Sequence, residues 1–305
     1  MKKRYFLIGA ALGAAVTAVA AEELYRFVFV RGGSPVLSPL FDSRTHAEDY
    51  YAHRDGKAAA LREMAHERLT LRSGRGELLQ GYYIPCGGSG GKKLAFLVHG
   101  YHSEYAENAG MYVDYYASRG FDVFSCDNTA HGESEGWFIG FDVFESEDCL
   151  RWLDRLIKRF GPDTQIVLHG FSLGAATVLR MSDRCPDNVK CIVEDSGFVD
   201  ARHAIGRQLG ALYGPMRGLH RLVSGCDLGE ADVRPHLDRA TLPILFVHGM
   251  DDPTVPFENG TELYAYYQGP KDCLFLPGVK HVETMHVAPD AYQAKLDAFL
   301  AGCIR

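Results

Sequence analysis

The chain of 305 residues lacks several features that would point elsewhere. No run of five or more basic residues follows the N-terminus, and the net charge is −7, which argues against a nucleic-acid-binding protein. Its eight cysteines include no Cys-x-x-Cys and no Cys/His ligand spacing, so a structural zinc site is not expected. Cys185 and Cys191 flank a short loop and are candidates for a disulfide only if the domain is exported; for a domain of this size buried free thiols are the expectation. Internal repeats and low-complexity tracts are missing. The longest uncharged run, Tyr5–Ala21, is 17 residues. That is about 25 Å as a helix, the short limit for crossing a bilayer.

That run follows Lys2-Lys3-Arg4, and Ala18-Val19-Ala20 fits a small-x-small cleavage pattern. Residues 1–30 therefore read as a cleaved secretory signal or an uncleaved anchor with the remainder outside. The anchor is preferred, because apolar character resumes in Leu24–Val30 past the possible cut. A buried N-terminal helix is a third reading of the same residues. The location expected is membrane-anchored facing outside, or secreted.

With 47% hydrophobic residues, the rest is long enough for one large α/β domain with a full core. Residues 31–66 read as a linker and a helix, and 67–305 as the domain. A hairpin over Arg68–Arg72 and Leu78–Ile84 opens the sheet. Strands then alternate with helices, which predicts a mostly parallel eight-stranded sheet covered on both faces. Between two strands, residues 197–240 carry helix-like pieces broken by Gly210, Gly214, Gly218 and Gly225. That segment reads as a small helical lid over the carboxyl ends of the strands.

The stretch Gln165–Phe171 is an apolar, partly β-branched strand, Ala175–Arg180 reads as a helix, and Gly170-Phe171-Ser172-Leu173-Gly174 joins them. A nucleophile at such a turn needs small flanking residues, because a Cβ at 170 or 174 would crowd the backbone. The turn lifts the Ser172 hydroxyl out of the sheet and leaves the Leu173 N–H at a helix N-terminus, where it can hold an oxyanion. A serine hydroxyl is nearly inert at neutral pH and needs a base, itself oriented by a carboxylate. His281, on the loop after a late strand, is the candidate base, with His286 the alternative. Asp252, after the strand before it, is the candidate carboxylate, ahead of Asp251 and Asp195. Tyr101 N–H, after strand 93–98, is the second candidate oxyanion donor.

The order Ser172, Asp252, His281, with His99-Gly100-Tyr101 upstream and His248-Gly249-x-x-Asp252-x-x-Val255-Pro256, resembles the α/β-hydrolase superfamily. The polar turn Asp127–Gly136 matches as well. Within the superfamily the chain is most similar to a bacterial, N-terminally anchored branch near serine aminopeptidase-like and acyl-hydrolase members. The resemblance implies a Ser172–Asp252–His281 triad with Tyr101 and Leu173 as oxyanion hole, acting on a small or lipid-like acyl substrate by two-step acyl transfer. It implies no metal or organic cofactor, no nucleic-acid partner, and membrane association through the N-terminus. A carboxylesterase is expected first, a cell-surface peptidase or amidase second, and a non-catalytic binding protein third. A peptidase that grips a free peptide N-terminus would need a carboxylate in the lid; Asp227, Glu230, Asp232 and Asp238 are available there but read more simply as solvated surface. His99, His131, His169 and His248 read as structural.

Overall fold

A computed structural model of the chain describes residues 19–37 and 48–304. One eight-stranded sheet forms its centre: β1 (Glu67–Arg72), β2 (Leu78–Ile84), β3 (Lys93–Val98), β4 (Asp122–Cys126), β5 (Gln165–Phe171), β6 (Val189–Asp195), β7 (Ile244–Gly249) and β8 (Lys271–Leu276). Their order across the sheet is β1-β2-β4-β3-β5-β6-β7-β8. The hairpin makes β1 and β2 antiparallel to their neighbours, and β4, β3 and β5 to β8 run parallel, so the sheet is mixed.

The central strands are buried on both sides, and their alternation divides two cores. Phe96, Ile166, Leu168, Ile192 and Phe246 face one core. Ala95, Leu97, Val167, Val193 and Leu245 face the other. The first core is covered by α3 (Val143–Phe160), through the fully buried Trp152, Leu153 and Leu156, and by α4 (Leu173–Arg180). The second is covered by α1 (Glu48–Glu63), α2 (Tyr105–Ser118) and the C-terminal helix Pro289–Cys303.

The lid after β6 is helical: α5 (Ala201–Leu209), α6 (Tyr213–Ser224) and a short α7 (Arg234–Leu237). Asp200 caps α5 by accepting the His203 N–H at 2.8 Å. Gly225, at φ 77°, ends α6 in the left-handed conformation that suits glycine.

Residues 19–29 are helical, and their inner side is part of the first core. Phe29 is fully buried. Its ring stacks on His220 of α6 at 4.5 Å and meets Phe141 edge-on at 5.8 Å. Tyr25 Oη and His220 Nδ1 hydrogen-bond at 3.1 Å. Val30 then pairs with Phe138 in an antiparallel bridge. The described part of the expected leader, residues 19–29, is a helix whose apolar side packs against the lid. Residues 1–18, the bulk of the candidate signal or anchor, lie outside the described residues. No helix among the described residues is long and apolar enough to cross a membrane. All eight cysteines are free, and Cys185 Sγ donates to the Met181 carbonyl at 3.3 Å.

Candidate active site

Ser172 stands between β5 and α4 with φ 53° and ψ −113°. A non-glycine residue holds such a backbone only where the surroundings over-determine it. Here the flanking glycines are obligatory: a Cβ at Gly170 would strike the Gly174 carbonyl, and one at Gly174 would strike the Val98 carbonyl. The Ser172 N–H donates to the Asp195 carbonyl at 2.9 Å, pinning the turn to β6.

His281 follows β8 and is 8% exposed. Its Nδ1 lies 2.6 Å from Asp252 Oδ2. A carboxylate cannot donate, so Nδ1 carries the proton and Nε2 is left as acceptor. Nε2 is 2.9 Å from Ser172 Oγ, which donates to it.

Asp252, after β7, is held by four groups. Its Oδ1 accepts the Thr254 and Val255 N–H groups at 2.8 Å each. Its Oδ2 receives His281, with His248 Nε2 at 3.4 Å. Burial alone would raise its pKa, but the His281 and His248 imidazoles outweigh that and hold it well below the usual carboxylate range. His248 Nε2 also donates to the Val255 carbonyl at 2.9 Å, closing the acid loop on itself.

The alternatives are elsewhere. Asp251 is exposed. Asp195 is buried and accepts hydrogen bonds from Ser196, Tyr112 and Tyr292. His286 turns to His53, with Nδ1 atoms 2.9 Å apart, and to Asp49 at 3.4 Å.

The two candidate oxyanion donors flank the serine. Leu173 opens α4, so its N–H lies in the first turn, where helix N–H groups lack helical acceptors. The loop after β3 passes closely: a Cβ on Gly100 would come within 3.4 Å of Ser172 Cβ. Two histidines set that loop. His99 Nδ1 donates to the Gly100 carbonyl at 2.7 Å, while its Nε2 accepts the Asn128 N–H at 2.9 Å. The Gly100 carbonyl and the Tyr101 N–H share one peptide plane, so fixing the first aims the second the opposite way. His131 Nε2 accepts the next N–H, that of His102, at 3.1 Å, and its Nδ1 donates to the Thr129 carbonyl at 2.9 Å. Burial lowers the pKa of both imidazoles and keeps them neutral, as these donor and acceptor roles require. The Tyr101 hydroxyl donates to the Phe27 carbonyl at 2.8 Å, so the segment before residue 30 braces the same loop.

The polar turn after β4 is a scaffold for these histidines. Asp127 accepts the Tyr105 N–H at 2.9 Å and the Glu133 N–H at 2.8 Å. His169, beneath the serine, is boxed between the Tyr116 and Tyr292 hydroxyls at 3.0 Å each and is pushed down to about 3 by burial. Among the described residues no group of three or more His, Cys, Asp or Glu side chains is placed to hold a metal ion.

A strand–serine–helix turn, an acid after β7 and a histidine after β8 sit at one end of a mixed eight-stranded sheet. The chain has the α/β-hydrolase fold. The serine aminopeptidase S33 family model matches residues 91–224. The chain is 23% identical to the uncharacterized protein YfhR of Escherichia coli K12 over 267 residues, which is 85% of this chain and 88% of that one. It is 24% identical to the uncharacterized YqkD of Bacillus subtilis over 202 residues, 63% of this chain and 66% of that one. Among solved structures, the Pyrococcus furiosus esterase Pf2001 superposes with a TM-score of 0.64 at 20% identity, covering 79% of this chain and 92% of that one. Est1E of Butyrivibrio proteoclasticus, solved with ferulic acid, superposes with a TM-score of 0.59 at 18% identity, covering 76% and 99%. A shared fold is a scaffold, and the chemistry rests on the side chains at its rim.

Proposed function

We propose that this α/β-hydrolase is a serine esterase that cleaves carboxylic ester bonds through an acyl-enzyme. The observation that carries it is His281 bridging Ser172 and Asp252 at 2.9 and 2.6 Å. His281 Nε2 takes the Ser172 proton as Oγ attacks the ester carbonyl, and Asp252 stabilises the imidazolium. The tetrahedral oxyanion rests on the Tyr101 and Leu173 N–H groups. His281 then protonates the leaving alcohol, and water, deprotonated by His281, releases the acid.

The esterase Pf2001 among the similar folds supports an ester substrate over a peptide. So does the state of the lid carboxylates that a peptide N-terminus would need. Asp227 is shared by Arg217 and Arg221, Asp232 is held by Arg234, and Glu230 and Asp238 face solvent. An exported position, facing outside, is proposed from the Lys2–Ala21 pattern; a reporter fused after Arg305 should be active only outside the cytosol.

The test is a fluorophosphonate probe with a p-nitrophenyl ester series and matched anilides. Wild type should be labelled and should turn over esters faster than amides. Ser172→Ala should lose labelling and several orders of magnitude in kcat. Unchanged ester turnover in Ser172→Ala refutes the proposal.

A further inference from the structure

The end of β6 touches all three chain segments that carry the candidate triad. Asp195 closes the strand and Ser196 follows it, and both are fully buried. The Asp195 carbonyl accepts the Ser172 N–H at 2.9 Å, at the nucleophile turn. The Ser196 N–H donates to the Val247 carbonyl at 2.9 Å, in the strand that leads to Asp252. The Ser196 hydroxyl accepts the Val282 N–H at 3.2 Å, on the residue after His281. Two adjacent residues thereby reach the nucleophile, the acid and the base segments.

The contact to Val282 is made under strain. Val282 has φ 56° and Ser196 φ 61°. For a β-branched side chain the left-handed region is an outlier, kept only where neighbours impose it. Here residue 282 is gripped at both ends. Its N–H goes to Ser196 Oγ, and its carbonyl accepts the Tyr50 hydroxyl of α1 at 3.4 Å. Ser196 Oγ has a single hydrogen, which it gives to Asp195 Oδ1 at 2.9 Å, so it meets Val282 with a lone pair. Asp195 is fixed in turn by the Tyr112 and Tyr292 hydroxyls, which donate to Oδ2 at 3.2 and 3.1 Å. Both tyrosines belong to the second core, so the anchor is as rigid as the interior itself.

The Val282 N–H lies in the peptide plane that leaves the His281 α-carbon. Fixing that plane fixes where the imidazole stands, and the ring has two partners to meet at once, at 2.6 and 2.9 Å. A misplacement of about 1 Å in such an arrangement costs about 100-fold in rate. Given that triad, we propose that Ser196 is a positioning residue for the base. Its hydroxyl, aimed by Asp195, holds the His281–Val282 peptide so that one imidazole reaches Ser172 and Asp252 together. Asp195 then serves the site as an anchor, while Asp252 serves as the acid.

The test uses the full chain. Ser196→Ala should lower kcat on a p-nitrophenyl ester by about 10–100-fold with KM little changed. That variant leaves a buried N–H without its acceptor and keeps a Cβ at φ 61°, so Ser196→Gly is made beside it, since glycine takes such a backbone without strain. Ser196→Gly should melt closer to wild type than Ser196→Ala does, yet lose kcat to the same degree. Tyr50→Phe, which frees the other end of residue 282, should give a smaller loss of the same kind. A further readout needs no turnover. The far-downfield proton signal of His281 Nδ1–H, produced by its short bond to Asp252, should broaden or move upfield in both Ser196 variants. The proposal is overturned if that signal is unmoved in both, if Ser196→Gly keeps the wild-type kcat, or if the loss falls in KM alone. A wild type that neither reacts with the fluorophosphonate nor turns over esters counts against the esterase reading instead, and the proton signal still judges Ser196.

Discussion

At the scale of single residues, the oxyanion loop is set by groups that never touch a substrate. His99 grips the Gly100 carbonyl at 2.7 Å, and the Tyr101 N–H is turned by the same rigid plane. His99→Ala should therefore lower kcat by about 10–100-fold, somewhat less than deleting a donor outright, with KM little changed. Steady-state kinetics on a short ester check this, and a rise in KM alone would contradict it. His286→Ala should leave kcat nearly unchanged, because that ring faces His53 and Asp49. Ser172, Asp252 and His281 were legible as candidates because each follows a strand directly, and a strand end is visible in an apolar run. The parts played by His99, His131 and His248 were not legible beyond a structural assignment. They depend on which ring nitrogen meets which backbone group, and no spacing encodes that.

At the scale of elements, the helix at 19–29 and the lid stabilise each other. Phe29 fills a site between His220 and Phe141, so Phe29→Ala should cost about 3–5 kcal/mol, read as a lower urea midpoint. Burial pulls His220 down to about 4, from an ordinary 6.5. Between those values the unfolded chain binds a proton that the packed lid refuses, so this contribution is intact above 6.5 and is lost as pH falls toward 4. Amide hydrogen exchange in residues 213–224 should accelerate between pH 7 and pH 5 beyond the intrinsic pH effect, and less so in His220→Gln. The hairpin, the central strands and the covering helices were legible from their periods to within a few residues. The packing of residues 19–29 was harder to see, because apolar side chains at helical spacing suit a bilayer and a core equally. Their partners lie 100 to 200 positions away, and only the tertiary arrangement decides between the two.

At the scale of the whole molecule, the sheet's two cores enclose an acid whose neutral form burial favours. Glu194, at the end of β6, is fully buried, and burial pushes it from 4.5 up to about 8. As pH rises across that interval the unfolded chain has shed a proton that the folded state still holds, so stability falls. Glu194→Gln should remove this slope. Its melting midpoint relative to wild type should rise by a few degrees between pH 5 and pH 9. Calorimetry at the two values checks it, and a parallel pair of curves would place the proton elsewhere.

Residues 25 and 29 find their partners at 141 and 220. During synthesis that stretch leaves the ribosome long before the lid that carries its partner at 220. An apolar strip must therefore wait uncovered while the central strands assemble. A holdase chaperone would find its target there in the nascent protein.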